Sequence, residues 1–260
     1  MSSRKRNNFT LIELLVVISI LGILAGMLMP ALGAAKERGM SNSCGANLKQ
    51  LASAALMYSD ENRGVMSPCS NGSSCCNGRT WTGNRAANQR RTDLRTAGLI
   101  TRYAAESLEV KICPSVRSQV EAQLALDPNH AGYCRGGGYG LNANFGWSGG
   151  IGKPVTSGKI VSPGSKIMFS DTMESWGTSA AYSLRLVPRG ILVGSTSDMG
   201  YSNTHFRHGG FANVGWVDGH ISREQPAELG VDPFEIDNSI GYLSMDKKPY
   251  RLTAEQEQMD

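Results

Sequence analysis

Charge is absent from one long stretch of this chain and evenly mixed elsewhere. From Leu14 to Ala35, 22 consecutive residues carry none. Over all 260 residues the net charge is only +4, with both signs interspersed, which gives no electrostatic footprint for nucleic acid. Aromatic residues make up only 7% of the chain, which predicts a modest core. No Cys-x-x-Cys pair occurs, arguing against a thioredoxin-like redox site. The run Gly136 to Gly140 is rich in glycine but opens no helical pattern, so a dinucleotide fingerprint is not expected. Phosphate-cradling loops, Asp-x-Asp-x-Asp calcium loops and internal repeats are likewise missing.

The uncharged run is the most informative feature present. Three cations (Arg4, Lys5, Arg6) precede it, followed by Phe9-Thr10-Leu11-Ile12-Glu13. Its length suffices to cross a bilayer. A carboxylate at the head of such a run costs about 2.5–3.5 kcal/mol in lipid even on insertion scales. Something must neutralise Glu13, and a cation on a neighbouring copy of the helix is the simplest candidate. The spacing predicts one helix from Phe9 to about Asn62, roughly 80 Å long at ~1.5 Å per residue. Its first half is apolar nearly all round. Its second half carries a stripe of Met40, Cys44, Leu48, Leu51, Ala55 and Tyr58 at steps of three and four, which should lie on a folded head. Gly22 and Gly26 form a small-xxx-small pair suited to close helix approach, although glycine is common in membrane helices in any case. Pro30 is expected to kink or locally break the helix, and Gly64 to stop it.

The basic leader, the Phe, the glutamate four residues after it and the interrupting proline together resemble the N-terminus of type IV prepilins and of type II secretion pseudopilins. The likeness runs from Arg4 to about Pro30. It implies cleavage between Asn8 and Phe9 by a prepilin peptidase and N-methylation of Phe9; the residue before the cut is usually Gly, and here it is Asn8. It also implies assembly guided by Glu13. The partners implied are that peptidase, an inner-membrane assembly platform, and copies of the chain or other pilins. The resulting division is a leader (1–8), a transmembrane and filament-core helix (9–35), its amphipathic continuation (36–64), and a head (65–260). Cations before the span put the N-terminus in the cytoplasm and the head outside the inner membrane.

Six cysteines follow the span: Cys44, Cys69, Cys75, Cys76, Cys113 and Cys134. An oxidising compartment makes disulfides plausible among Cys69, Cys75, Cys76, Cys113 and Cys134, with connectivity left open. Cys44, on the helix stripe, reads as packing. In the head, a capped short helix is expected from Thr92 or Asp93 to Tyr103, a strand at Val110 to Ile112, and a helix from Ser115 to Leu126. Residues 132–152 read as irregular. Further strands are expected at Lys166 to Ser170 and Gly190 to Val193, then a polar tail after Glu224. Asn213 to Val217 and His220 to Ser222 flank Asp218-Gly219, a hairpin signal.

His208, nine residues, then Asp218-Gly219 is similar to a C-terminal His-nine-Asp-Gly signature found in a large group of prepilin-like proteins. Cys113-Pro114-Ser115, Tyr139-Gly140-Leu141-Asn142 and Asp171 at a strand end fit the same group. The bland account is a hairpin with a structural histidine. The sharper account is a metal site drawn from Asp171, His205, His208, Asp218 and His220, with zinc or calcium as the only cofactor in view. The fold expected is α+β, a long helix laid on a small antiparallel sheet with loop-rich insertions. The function expected is that of a non-enzymatic filament subunit. The alternatives are an exported or membrane-anchored binding protein, for which Ala31-Leu32-Gly33 supplies a small-residue cleavage site.

Overall fold

The computed structural model describes residues 11–69, 78–85, 94, 96–104, 107–125, 136–146, 154–176, 179–183, 185–186, 202–229, 233–244 and 248–253. The chain divides into two compact units, Met1–Gly39 and Met40–Asp260.

In the first unit, helix α1 (Leu11–Glu61) begins with Glu13 in its first turn. The helix continues through Pro30 without interruption, so of the kink or local break expected there the break does not occur. A proline removes one intrahelical hydrogen bond, and the apolar residues on both sides still favour helix. Ser19 resolves its own polarity, its hydroxyl donating to Leu15 O at 2.7 Å. The large apolar side chains from Leu11 to Leu32 are all exposed, between 46% and 86%. Around Gly22 and Gly26 the space is open.

The second unit opens with the amphipathic half of α1. Cys44, Leu48, Leu51, Ala52 and Ala55 are buried there, as the stripe requires, with Met40 and Tyr58 at its partly exposed ends. The helix ends by bonding Gly64 N–H to Ser59 O at 2.8 Å, with Arg63 (φ 57°) and Gly64 (φ 80°) both left-handed. Two short strands follow, β1 (Gly78–Arg79) and β2 (Asn84–Arg85), then α2 (Leu108–Lys111) and α3 (Arg117–Ala125).

The head sheet comprises β3 (Tyr139–Asn142), β4 (Ile167–Trp176), β5 (Ser179–Ala181), β6 (Arg185–Leu186), β7 (Ser202–His205), β8 (Ala212–Trp216), β9 (Ile221–Glu224) and β10 (Glu228–Leu229). After a short helix α4 (Pro233–Asp237), β11 (Ile240–Tyr242) completes it. All pairings are antiparallel except β3 with β6. The α+β class is therefore as expected.

Strand β4 organises the sheet. Its first half pairs with β3 and β8, its second half with β7 and β5. The exchange of partners falls at one step: Asp171 pairs with Tyr139 of β3, and Thr172 pairs with Thr204 of β7. The core lies between this sheet and α1, with Trp81 against Phe169 at 5.1 Å between ring centroids.

Several local expectations need correction. Val110 to Ile112 is not a strand: Val110 and Lys111 close α2, whose N-cap Ser107 accepts a hydrogen bond from Glu109 N–H, and Ile112 is its C-cap. The described part of 92–103 forms turns rather than a capped helix. Asp171 sits inside β4 instead of closing it. Within 132–152, Tyr139–Asn142 is a buried strand. The tail after Glu224 supplies β10, α4 and β11 and buries Tyr250 and Leu252. The helix from Ser115 onward is present as a 3-10 turn leading into α3. Gly190 to Val193 lies outside the described residues.

The β8–β9 hairpin forms where the sequence puts it. Gly219 N–H bonds Trp216 O at 2.9 Å and Trp216 N–H bonds His220 O at 3.0 Å. Only Gly219 takes a positive φ, of 87°, as the bulge position of a three-residue loop requires.

Candidate functional site

Two regions carry chemistry. The first is the start of α1. Glu13 is exposed there at the head of the bare apolar segment. Asn8 and Phe9 lie outside the described residues. A continuous apolar surface of this kind is not stable in water and calls for a cover of lipid or other protein.

The second region is a buried cluster in the head, contributed by four separate segments. Cys44 comes from α1, Cys113 from the turn after α2, Asp171 from the partner exchange in β4, and His208 from the turn after β7. All four are buried, and their ligand atoms lie within 4.8 Å of one another. Cys44 Sγ donates to Asp171 Oδ1 at 3.3 Å. His208 Nε2 lies 3.3 Å from Asp171 Oδ2 and 3.6 Å from Cys113 Sγ.

The surrounding shell holds this arrangement. Ser115 Oγ is 3.3 Å from His208 Nδ1, which leaves Nε2 directed at the other three residues. Asn213 N–H donates to Asp171 Oδ2 at 2.8 Å. Arg207 Nη2 sits 3.7 Å from Asp171 Oδ1 and donates to Gly138 O at 2.8 Å and Thr172 O at 3.1 Å. Gly138 makes room for that guanidinium: at its φ of 94° a Cβ would stand 2.5 Å from Arg207 Nη1. Arg223 Nη2 fixes the turn by donating to His208 O at 2.7 Å.

Electrostatics follow from burial with compensation. Burial would raise Asp171, but the Arg207 charge and the His208 hydrogen bond outweigh it and hold the carboxyl below its usual range. Burial would lower His208; its bonds to Asp171 and Cys113 push it instead to about 9. Burial opposes ionisation of Cys113, yet hydrogen bonding from Cys44 and the charge of Arg207 bring it down to about 5. Burial, reinforced by Cys113, pushes the Cys44 thiol well up. Two anions and two cations thus balance within the core.

With Cys113 as the nucleophile, this is not the geometry of a relay. A relay histidine offers one nitrogen to the nucleophile and the other to the carboxylate. Here Nε2 faces both Cys113 and Asp171, and Nδ1 faces Ser115. The four ligand atoms instead form one close group, all within 4.8 Å of one another.

The structure regroups the five head residues singled out from sequence. Asp171 and His208 are brought together. His205 stays outside the group of four. Burial and then Arg207 lower its pKa to about 3, and its Nδ1 is buried without a hydrogen-bond partner. Asp218 and His220 pair with each other on the exposed hairpin loop, 2.5 Å apart, with the His220 ring stacked on Trp216 at 5.5 Å. Of the five, only Asp171 and His208 join a group of residues that could hold a metal ion, which Cys44 and Cys113 complete with unbridged thiols. Cys69 is buried with Sγ 3.4 Å from Leu141 O. Cys75, Cys76 and Cys134 lie outside the described residues.

Comparison with known proteins bears on the first region. The family model for the prokaryotic N-terminal methylation motif matches residues 4–29. No curated protein and no solved structure matches the chain. The chain is thus prepilin-like at its N-terminus, and the motif implies processing by a prepilin peptidase and pilin-type assembly. Among the described residues, α1 is the one helix long and apolar enough to cross a membrane, which fits an inner-membrane anchor.

Proposed function

We propose that this chain is a structural subunit of a type II secretion or type IV pilus-like filament, of the pseudopilin or pilin-like kind. One coincidence carries the reading: the matched methylation motif overlies the same segment whose apolar side chains are all exposed. The leader is cut between Asn8 and Phe9, and Phe9 becomes the methylated N-terminus. The span first anchors the chain with its head outside the inner membrane and then enters the filament core. The chain is a substrate of the peptidase, a reading supported by the match of residues 4–29 to the methylation motif, and not itself an enzyme. The His208-to-Gly219 hairpin belongs to the C-terminal signature of the prepilin-like group described above.

Cleavage before Phe9 creates an α-amino group about 6 Å along the helix from Glu13. Pairing the amine of one subunit with Glu13 of the next offsets the penalty of both charges in an apolar medium and sets the axial step. Such a head-to-tail contact does not close, so it propagates as a filament.

The test is the N-terminus of the protein purified from its host, read by mass spectrometry with and without the peptidase. A methylated Phe9 that depends on the peptidase is the expected result. A start near Ala34, or an intact Met1 or Ser2, would overturn the filament reading in favour of an exported or permanently anchored protein.

A further inference from the structure

We propose that Cys44, Cys113, Asp171 and His208 form a structural zinc site that clamps the stem helix α1 to the head sheet. Bonds of about 2.0–2.3 Å to a tetrahedral zinc place neighbouring donor atoms about 3.3–3.8 Å apart. The contacts of 3.6 Å between His208 Nε2 and Cys113 Sγ and 3.3 Å between Nε2 and Asp171 Oδ2 have the length of such edges, and the ligand atoms of all four residues lie within 4.8 Å of one another. Two sulfurs, one imidazole nitrogen and one carboxylate oxygen form a donor set that zinc accepts, and four protein ligands leave no open position, as in structural sites.

The outer residues are those a zinc site needs. Ser115 takes the remaining ring nitrogen of His208, and Asn213 N–H orients the carboxylate. Charge also balances. Two thiolates, one carboxylate and a dication sum to −1, and Arg207, 3.7 Å from Asp171, cancels it. Soft thiolates together with imidazole disfavour calcium and magnesium.

Position supplies the purpose. The ligands come from α1, the loop after α2, the middle of β4 and the turn between β7 and β8. A head with few aromatics gains from a cross-link at the point where its sheet changes partners. Such a site also keeps two adjacent thiols reduced outside the cytoplasm. It stands whether or not the chain assembles into a filament.

The experiment uses the full chain purified in detergent without reducing agent or chelator. Metal content is measured by plasma mass spectrometry, and the intact mass is read with and without thiol alkylation. About one zinc per chain, with Cys44 and Cys113 unbridged, is expected. Replacing zinc with cobalt should give tetrahedral d–d bands and a thiolate-to-metal charge-transfer band. Cys44→Ser should cut the charge-transfer intensity by roughly half, one of two sulfurs being gone. Should that variant not fold, the wild-type cobalt spectrum still decides. A Cys44–Cys113 disulfide overturns the proposal. So do unbridged thiols that take up neither zinc nor cobalt when these are supplied in excess.

Discussion

His208 Nε2 lies 3.3 Å from Asp171 Oδ2 with both side chains wholly shielded from solvent, so the turn before β8 is tied to the centre of β4 by a buried charged contact. Asp171 also faces Arg207 and accepts from Asn213 N–H. Asp171→Asn keeps the shape and removes one of the two buried anions, leaving Arg207 and His208 with only the Cys113 thiolate to balance them. The expected loss is about 3–5 kcal/mol of head stability, since breaking a buried pair exposes the full desolvation cost of the partner. Denaturant titration of the full chain in detergent measures it. A change under about 1 kcal/mol would show that water or other groups already neutralise the site.

Gly137 explains the glycine run that resembled, but did not match, a nucleotide loop. A Cβ there would sit 1.7 Å from Lys111 O and 2.7 Å from Lys111 C, both backbone atoms. The same approach lets Cys113 N–H bond Gly137 O at 2.9 Å, which seats the loop carrying Cys113 beside β3. Gly137→Ala must displace that loop, and a loss of about 3 kcal/mol or more is expected. Gly158→Ala, with nothing within 4 Å of its Cβ, is the control and should stay within about 0.5 kcal/mol. Thermal denaturation of the two variants side by side checks the contrast, and equal shifts would refute the close-packing account.

How far the sequence could be read depended on how local each signal was. The α1 stripe, the Gly64 stop and the Asp218-Gly219 hairpin rest on residues within a few positions of one another, and all three formed as expected. Val110-Lys111-Ile112 alternates like a strand, but Ser107 upstream caps a helix instead, and Lys111 Nζ finds Leu94 O and Thr96 O at 2.9 and 2.7 Å. The head cluster was half legible. Asp171 and His208 stood out by residue type, whereas Cys44 sat in the apolar stripe of α1 and read as packing. Its contact with Asp171 spans 127 positions, and that of Cys113 with His208 spans 95, so no spacing rule could join them. The tail was missed because β10 and β11 are two and three residues long and owe their existence to pairing with each other and with β7.

His205 gives a pH signature distinct from the cluster. It faces Arg207, Asp171 and His208, has the Tyr182 ring 6.4 Å away, and is hydrogen-bonded through the Asn238 backbone. Burial first, then Arg207, lowers its folded pKa to about 3, against about 6.5 in the unfolded chain. Between those values the unfolded state holds more protons. The neutral ring therefore contributes fully above about pH 6.5, and its contribution is lost as pH falls toward 3. His205→Gln should flatten the stability–pH curve in that window by up to about 1.4 kcal/mol per pH unit. Denaturant midpoints of both proteins from pH 4 to 7 provide the test; parallel curves would mean that His205 is already protonated in the fold.

Glu13 bears the assembly prediction. Glu13→Ala lightens the helix for lipid, because a carboxylate at such a position costs about 2.5–3.5 kcal/mol on insertion scales. Membrane insertion and peptidase cleavage should therefore be unchanged. Incorporation should fail, because the methylated amine of the incoming subunit would enter the apolar filament core with no carboxylate to meet it. If that uncompensated charge costs about 3–5 kcal/mol, incorporation falls by roughly 100-fold or more. Glu13→Gln should fail in the same way, since an amide keeps the shape but not the charge. Glu13→Asp should recover part of the loss. Membrane fractionation and the amount of each variant in sheared filaments separate insertion from assembly. Normal amounts of Glu13→Gln in filaments would show that the contact is not ionic, and the pairing that sets the axial step would have to be sought elsewhere on α1.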